Sequence, residues 1–136
     1  MIELTRRYRF PAAHVLSHPS LSREENERIF GKCANPAGHG HNYAVEVTLA
    51  GPVDPRTGQV FPVEDLDAIF DRTIRSRFSH RMLNELPIFA ERVPTGENIA
   101  RAIHDDLARA LDPGGPSRLK RVRVVETSRN SSEYGE

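Results

Sequence analysis

The chain has 136 residues, enough for one domain with a modest core. With 38% apolar and 28% charged residues it reads as soluble and globular rather than disordered. Lys+Arg and Asp+Glu balance at 19 each, so no global field draws it to nucleic acid or to an anionic membrane. Arg6, Arg7 and Arg9 form a local basic patch. No apolar run approaches the ~20 residues of a membrane span, and the N-terminus lacks the apolar region of a signal peptide. The single cysteine cannot form an internal disulfide, which suits a reducing compartment and a cytoplasmic location.

Ile2 to Phe10 alternates with period two and predicts a half-buried strand that Pro11 ends or bends. Residues 15 to 40 have no clean period. Gly31, Pro36, Gly38 and Gly40 predict a long irregular loop, a feature that is usually functional or disordered. His41 to Ala50 predicts a second strand, with Tyr43, Val45, Val47 and Leu49 on one face. Asp54-Pro55-Arg56-Thr57-Gly58 predicts a turn, and Gln59 to Val63 a returning hairpin arm.

Leu66, Ile69, Phe70, Ile74 and Phe78 recur at spacings of three and four, predicting a helix over Val63 to Phe78. Thr95 can cap a second helix, with Glu97 in its first turn. Its apolar stripe runs from Ile99 to Leu111 and stops at Pro113-Gly114-Gly115-Pro116. Leu119 to Thr127 predicts a third long strand, and Ser132 to Gly135 a short fourth. The order ββααββ places the chain in the α+β class, with two helices on one face of an antiparallel sheet. Open edges on such a small sheet favour pairing between copies into a closed barrel.

Gly38-His39-Gly40-His41-Asn42-Tyr43 is the strongest local signal. Histidines at i and i+2 of an extended segment share a face and can hold one metal ion, or they are two solvated rings. His14, after Ala12-Ala13, faces that pair if the first two strands are neighbours. Three neutral imidazoles with an open fourth position are the pattern of a catalytic zinc. Alone, His14 reads as a satisfied histidine. Cys33 is either an inert small residue or, beside Lys32 and near a cation, a thiolate. His80 reads as a charge partner at a helix C-terminus, Glu97 as a first-turn acid and Glu126 as a solvated carboxylate at a strand end. His18 and His104 read as surface residues.

Taken together, these fragments resemble the 6-pyruvoyl-tetrahydropterin synthase and 6-carboxy-tetrahydropterin synthase family. The resemblance is carried by Phe10-x-x-x-His14 and by Phe30-Gly31-Lys32-Cys33-x-Asn35-Pro36-x-Gly38-His39-Gly40-His41-Asn42-Tyr43. It continues through Val53-Asp54-Pro55-x-Thr57-Gly58, His80-x-x-Leu83-Asn84, Pro94-Thr95-x-Glu97-Asn98 and Glu126-Thr127 to Tyr134-Gly135-Glu136, and so spans a single synthase domain, residues 1–136. The family resemblance implies a tunnelling fold whose subunits close into a barrel and stack as a homohexamer, with active sites between subunits. It implies zinc on His14, His39 and His41, and Cys33 as the proton-abstracting base with His80 in a proton relay. It further implies a pterin ring anchored by Glu126 with the segment holding Thr95 and Glu97. The implied substrate is 7,8-dihydroneopterin triphosphate, which loses triphosphate.

Five residues separate Cys33 from His39, as in the 6-pyruvoyl enzymes. The 6-carboxy enzymes of queuosine synthesis usually have a shorter gap. Ser79 stands before His80 where the family usually has aspartate. That departure keeps open a diverged pterin-binding paralogue with weak turnover.

Overall fold

A computed structural model describes residues 1–136. Four antiparallel strands form one sheet in the order β1-β2-β3-β4, with β1 at Ile2–His14, β2 at His39–Gly51, β3 at Arg118–Val125 and β4 at Ser131–Gly135. Helices α2 (Val63–Phe70), α3 (Ser76–Phe78) and α4 (Gly96–Ala110) follow β2. One turn of π-helix, Asp71–Arg75, links α2 to α3. The α+β reading therefore holds, with the helices between the inner and outer strand pairs of the chain.

One face of the sheet carries the core. Tyr8 and Phe10 of β1, Tyr43, Val45, Val47 and Leu49 of β2, and Val122 and Val124 of β3 are buried against Leu66, Phe70, Ile74, Ile99, Ile103 and Leu107. The period-two and period-three-to-four patterns thus meet at a single apolar layer. Tyr8 stacks on Phe70 with ring centroids 3.9 Å apart and donates its hydroxyl hydrogen bond to Asp67 Oδ1 at 2.8 Å. Asp67 also accepts from Arg6, which holds its carboxyl below the ordinary aspartate range and ties β1 to α2.

Three expectations are corrected. Pro11 does not end β1, which continues to His14. Its carbonyl accepts from His80 N and the next same-side residue, Ala13, donates to Arg81 O, so Pro11 sits where its missing N–H points to the outer edge. Second, the stretch from 15 to 40 is not wholly irregular. It contains α1 (Arg23–Phe30), capped by reciprocal Ser22 and Glu25 hydrogen bonds, and a 3-10 turn, Gly31–Ala34. Third, residues 59 to 63 form no hairpin arm. The turn closes through Gly58 N to Asp54 O, and Pro62 then starts α2 directly.

Candidate metal centre

Register brings the histidines together. His14 ends β1 directly opposite His39, and Ala12 is opposite His41. Alternation then turns His14, His39 and His41 to the same face, at the end of the apolar layer. Their ring centroids lie 4.5, 5.0 and 4.8 Å apart, each pair meeting edge to face. Tyr43, two residues after His41, lies beneath them at 5.4 Å from His41 and 6.0 Å from His14.

His14 is fully buried. Its Nδ1 lies 2.7 Å from Pro94 O, so the ring donates there and turns Nε2 toward the cluster. That Nε2 stands 2.8 Å from His39 Nε2. His41 Nε2 is buried and has no hydrogen-bond partner. Burial holds His39 and His41 below the ordinary histidine range, which favours neutral imidazoles. Ring nitrogens facing one another at this distance repel unless a proton or a cation lies between them. Convergent, with two rings favoured as neutral and one nitrogen unsatisfied, the set fits a divalent cation.

Glu126 joins them from the end of β3. Its Oε1 lies 3.2 Å from His41 Nε2 and 3.5 Å from His14 Nε2, and the four ligand atoms fall within 4.8 Å of one another. Contact with His14 holds its carboxyl below the ordinary glutamate range despite burial. The turn that follows fixes its backbone, with Glu126 N donating to Asn130 O. Gly96, the first residue of α4, allows the close approach: a Cβ there would stand 3.2 Å from Glu126 Oε2. The carboxylate therefore lies beside the positive end of a helix dipole.

Thr95 caps α4, its hydroxyl accepting from Asn98 N at 3.3 Å. Glu97 follows, exposed, and accepts weakly from Ser132 at 3.4 Å. Glu97 and Glu126 border one polar cavity of about 520 Å³ with Asn130 and Ser132. Cys33 is half-buried on the 3-10 turn, its carbonyl accepting from Leu16 N at 2.8 Å. It lies outside the four-residue group but contributes, after burial and Glu126, to raising the Tyr43 phenol above its ordinary range.

His80 is not with the cluster. It is exposed, at a φ of 61°, and its ring Nδ1 lies 2.9 Å from Ser79 Oγ. It borders a cavity with Pro11, Ala12, Ala13, Gly40, His41 and Asn42, so that cavity reaches one of the three histidines. His104 is also not a free surface ring, since it packs edge to face on Tyr134 at 4.9 Å. Another cavity, about 730 Å³ between Leu49, Val53, Phe61 and Leu111, lies at the far end of β2 from the histidines.

Two participants escaped the sequence reading: the Pro94 carbonyl orients His14, and Tyr43 floors the cluster. Glu126, expected at the pterin, stands beside the histidines. Only Tyr43 carried a local signal, sharing the i, i+2, i+4 face with His39 and His41.

Comparison with known proteins agrees with this geometry. The 6-pyruvoyl tetrahydropterin synthase profile matches residues 3–136. Human 6-pyruvoyl tetrahydrobiopterin synthase is 43% identical over 133 residues, spanning 97% of this chain and 90% of its own. The solved Caenorhabditis elegans 6-pyruvoyl tetrahydropterin synthase superposes with a TM-score of 0.92 at 35% identity, over 99% of this chain and 95% of that one. An Archaeoglobus fulgidus protein provisionally named 6-carboxy-5,6,7,8-tetrahydropterin synthase is 37% identical, over 65% of this chain and 67% of its own. The chain belongs to the 6-pyruvoyl tetrahydropterin synthase family.

Proposed function

We propose that the chain is a zinc-dependent carbon–oxygen lyase that converts 7,8-dihydroneopterin triphosphate to 6-pyruvoyl-tetrahydropterin with loss of triphosphate. The observation that carries this reading is the convergence of His14, His39 and the unpartnered His41 Nε2 in a member of this family. The archaeal 6-carboxy relative aligns over a shorter stretch than the 6-pyruvoyl ones, which supports the 6-pyruvoyl product.

His14, His39 and His41 would hold the zinc. When bound, it supplies Lewis-acid polarisation of the substrate's side-chain hydroxyls, which acidifies the neighbouring C–H bonds. The chain's own residues do the rest. Pro94 O and Tyr43 hold the His14 ring in place. The pterin ring lies in the cavity between β3, β4 and the start of α4, where a carboxylate accepts two parallel hydrogen bonds from its amino-amidine edge. Glu126, which borders that cavity, would anchor the ring, helped by Glu97 and by Thr95 at the helix start. Cys33 removes a side-chain proton as thiolate. The electron pair passes along the chain, the C–O bond to the leaving group breaks, and triphosphate departs. The side chain is oxidised as the ring is reduced, so no redox cofactor is consumed.

His80 completes the site from a neighbouring subunit. Within one chain its ring meets Ser79, and its backbone meets Pro11, not Cys33 or the cluster. Both sheet edges are open, and β1 offers 13 residues of unpaired edge broken only by the short contact with residues 80–82. These features support a homo-oligomer, most economically the homohexamer, with shared sites. No helix is long and apolar enough to cross a membrane. We place this single synthase domain in the cytoplasm, which its unpaired cysteine supports.

Metal removal tests this reading. Protein stripped with a chelator is expected to release no triphosphate from 7,8-dihydroneopterin triphosphate. Addition of one equivalent of zinc per chain is expected to restore release. Undiminished release from fully stripped protein would refute the zinc-dependent route.

A further inference from the structure

We infer that the groove between the outer part of β1 and the residues after α3 receives the substrate's triphosphate, gripped by Arg9 and Arg81. The inference rests on the substrate proposed above and assigns the part of it that the metal centre leaves unaccounted for.

Charge distribution carries the case. Nearly every arginine on β1 and β3 is neutralised: Arg6 by Asp67, Arg7 by Glu46, Arg121 by Glu3, and Arg123 by Glu46 and Glu133. Arg9 breaks the pattern. It is exposed, it pairs across the ladder with Ala44, and no carboxylate reaches it. Arg9 stands one same-face step from Pro11, about 6.7 Å along the strand. Pro11 borders the groove, a cavity of about 430 Å³ whose lining includes His80, Arg81 and Asn42 and no aspartate or glutamate. Arg81 is likewise exposed and without an acidic partner. Two unpaired guanidinium groups beside a groove free of carboxylates suit a polyanion.

The backbone is shaped to present these groups. His80 adopts a φ of 61°, a left-handed conformation that non-glycine residues rarely take. Two bonds to the edge of β1 maintain it, His80 N to Pro11 O at 2.7 Å and Ala13 N to Arg81 O at 2.9 Å. The result is that His80 and Arg81 both project from a strained, anchored turn. Ser79 occupies Nδ1 of the His80 ring and leaves Nε2 available to a ligand oxygen. Asn42 is exposed and its side-chain amide has no partner within the chain, adding a neutral donor. His41 lines the groove and also belongs to the metal centre, so the two adjoin.

The test compares wild type, Arg9→Ala, Arg81→Ala, the double variant and Arg72→Ala, a control at an exposed arginine on the π-helical turn. Inorganic triphosphate is titrated calorimetrically at two salt concentrations, and 7,8-dihydroneopterin, which lacks phosphate, is titrated in parallel. Each single groove variant is expected to weaken inorganic triphosphate binding ~10-fold, as loss of one charge-assisted contact should. The double variant is expected to lose more, with a shallower salt dependence. Dihydroneopterin binding, and every property of Arg72→Ala, is expected to stay at the wild-type level. Triphosphate bound equally well by the double variant, or not bound by wild type at millimolar concentration, would overturn the assignment. Should the arginines prove necessary for triphosphate binding while the enzyme fails to turn over dihydroneopterin triphosphate, the groove stands and the lyase reading falls.

Discussion

Cys33→Ala is expected to lower turnover by ~10²–10⁴-fold while leaving metal content and pterin binding at the wild-type level. The separation follows from where Cys33 sits. Its thiol is outside the group of four ligand atoms, so its removal takes no ligand from the metal. Its structural tie is a backbone bond, Leu16 N to Cys33 O, which alanine preserves. The side chain is half-buried, so truncation opens no large cavity. What alanine removes is the group able to take a proton. Single-turnover kinetics with 7,8-dihydroneopterin triphosphate, alongside metal analysis of the same preparation, measures both halves. A variant that turns over like wild type would assign the base elsewhere. A variant that loses its metal would make Cys33 part of the metal centre.

His39→Ala is expected to reduce zinc from one per chain to a small fraction of that. His39 is the ring facing His14 across the ladder, with its Nε2 2.8 Å from that of His14. Without it, two imidazoles and Glu126 remain. Loss of one of three nitrogen ligands should cost several kcal/mol, set against ~10–16 kcal/mol for a complete structural zinc site. His18→Ala is the matched control, because the His18 ring is tied to Ser20 and lies outside the cluster. Metal analysis of the purified proteins decides the matter, and full zinc occupancy in His39→Ala would remove His39 from the ligand set.

The parts of the fold that were legible in the sequence are those where burial is one-sided. Tyr8, Phe10, Tyr43, Val45 and Val47 alternate because one face of each strand meets the helices. α1 was not legible because none of its residues is buried, so no apolar stripe marks it. Its one signature was the capping box, Ser22 with Glu25, in a stretch punctuated by glycine and proline. Residues 59 to 63 misled in the opposite way. Val60, Phe61 and Val63 have strand-like composition, yet Pro62 supplies a helix start. The π-helical turn at Asp71–Arg75 left no trace, since Ile74 and Phe78 still fall on the helical stripe.

The metal centre divides along the same line. His39 and His41 share a face by alternation alone, and His14 joins them once β1 and β2 pair. Glu126 arrives through the pairing of β3 with β2 and the Glu126–Asn130 turn, which no local pattern encodes. His80 shows the limit most clearly. Its motif suggests a place in the chemistry, but His80 N to Pro11 O and Ala13 N to Arg81 O hold it at the edge of β1, outside the four-residue group of its own chain. Ser79 hydrogen-bonds the His80 ring. A hydroxyl orients the imidazole without adding the charge that would stabilise its protonated form.

The mass of the pterin product tests the central proposal most directly. Zinc-loaded protein is incubated with 7,8-dihydroneopterin triphosphate under anaerobic conditions and the pterin is identified by mass spectrometry. The expected product is 6-pyruvoyl-tetrahydropterin, formed together with one equivalent of inorganic triphosphate. Recovery of 6-carboxy-tetrahydropterin instead, or of intact substrate after prolonged incubation, would contradict it.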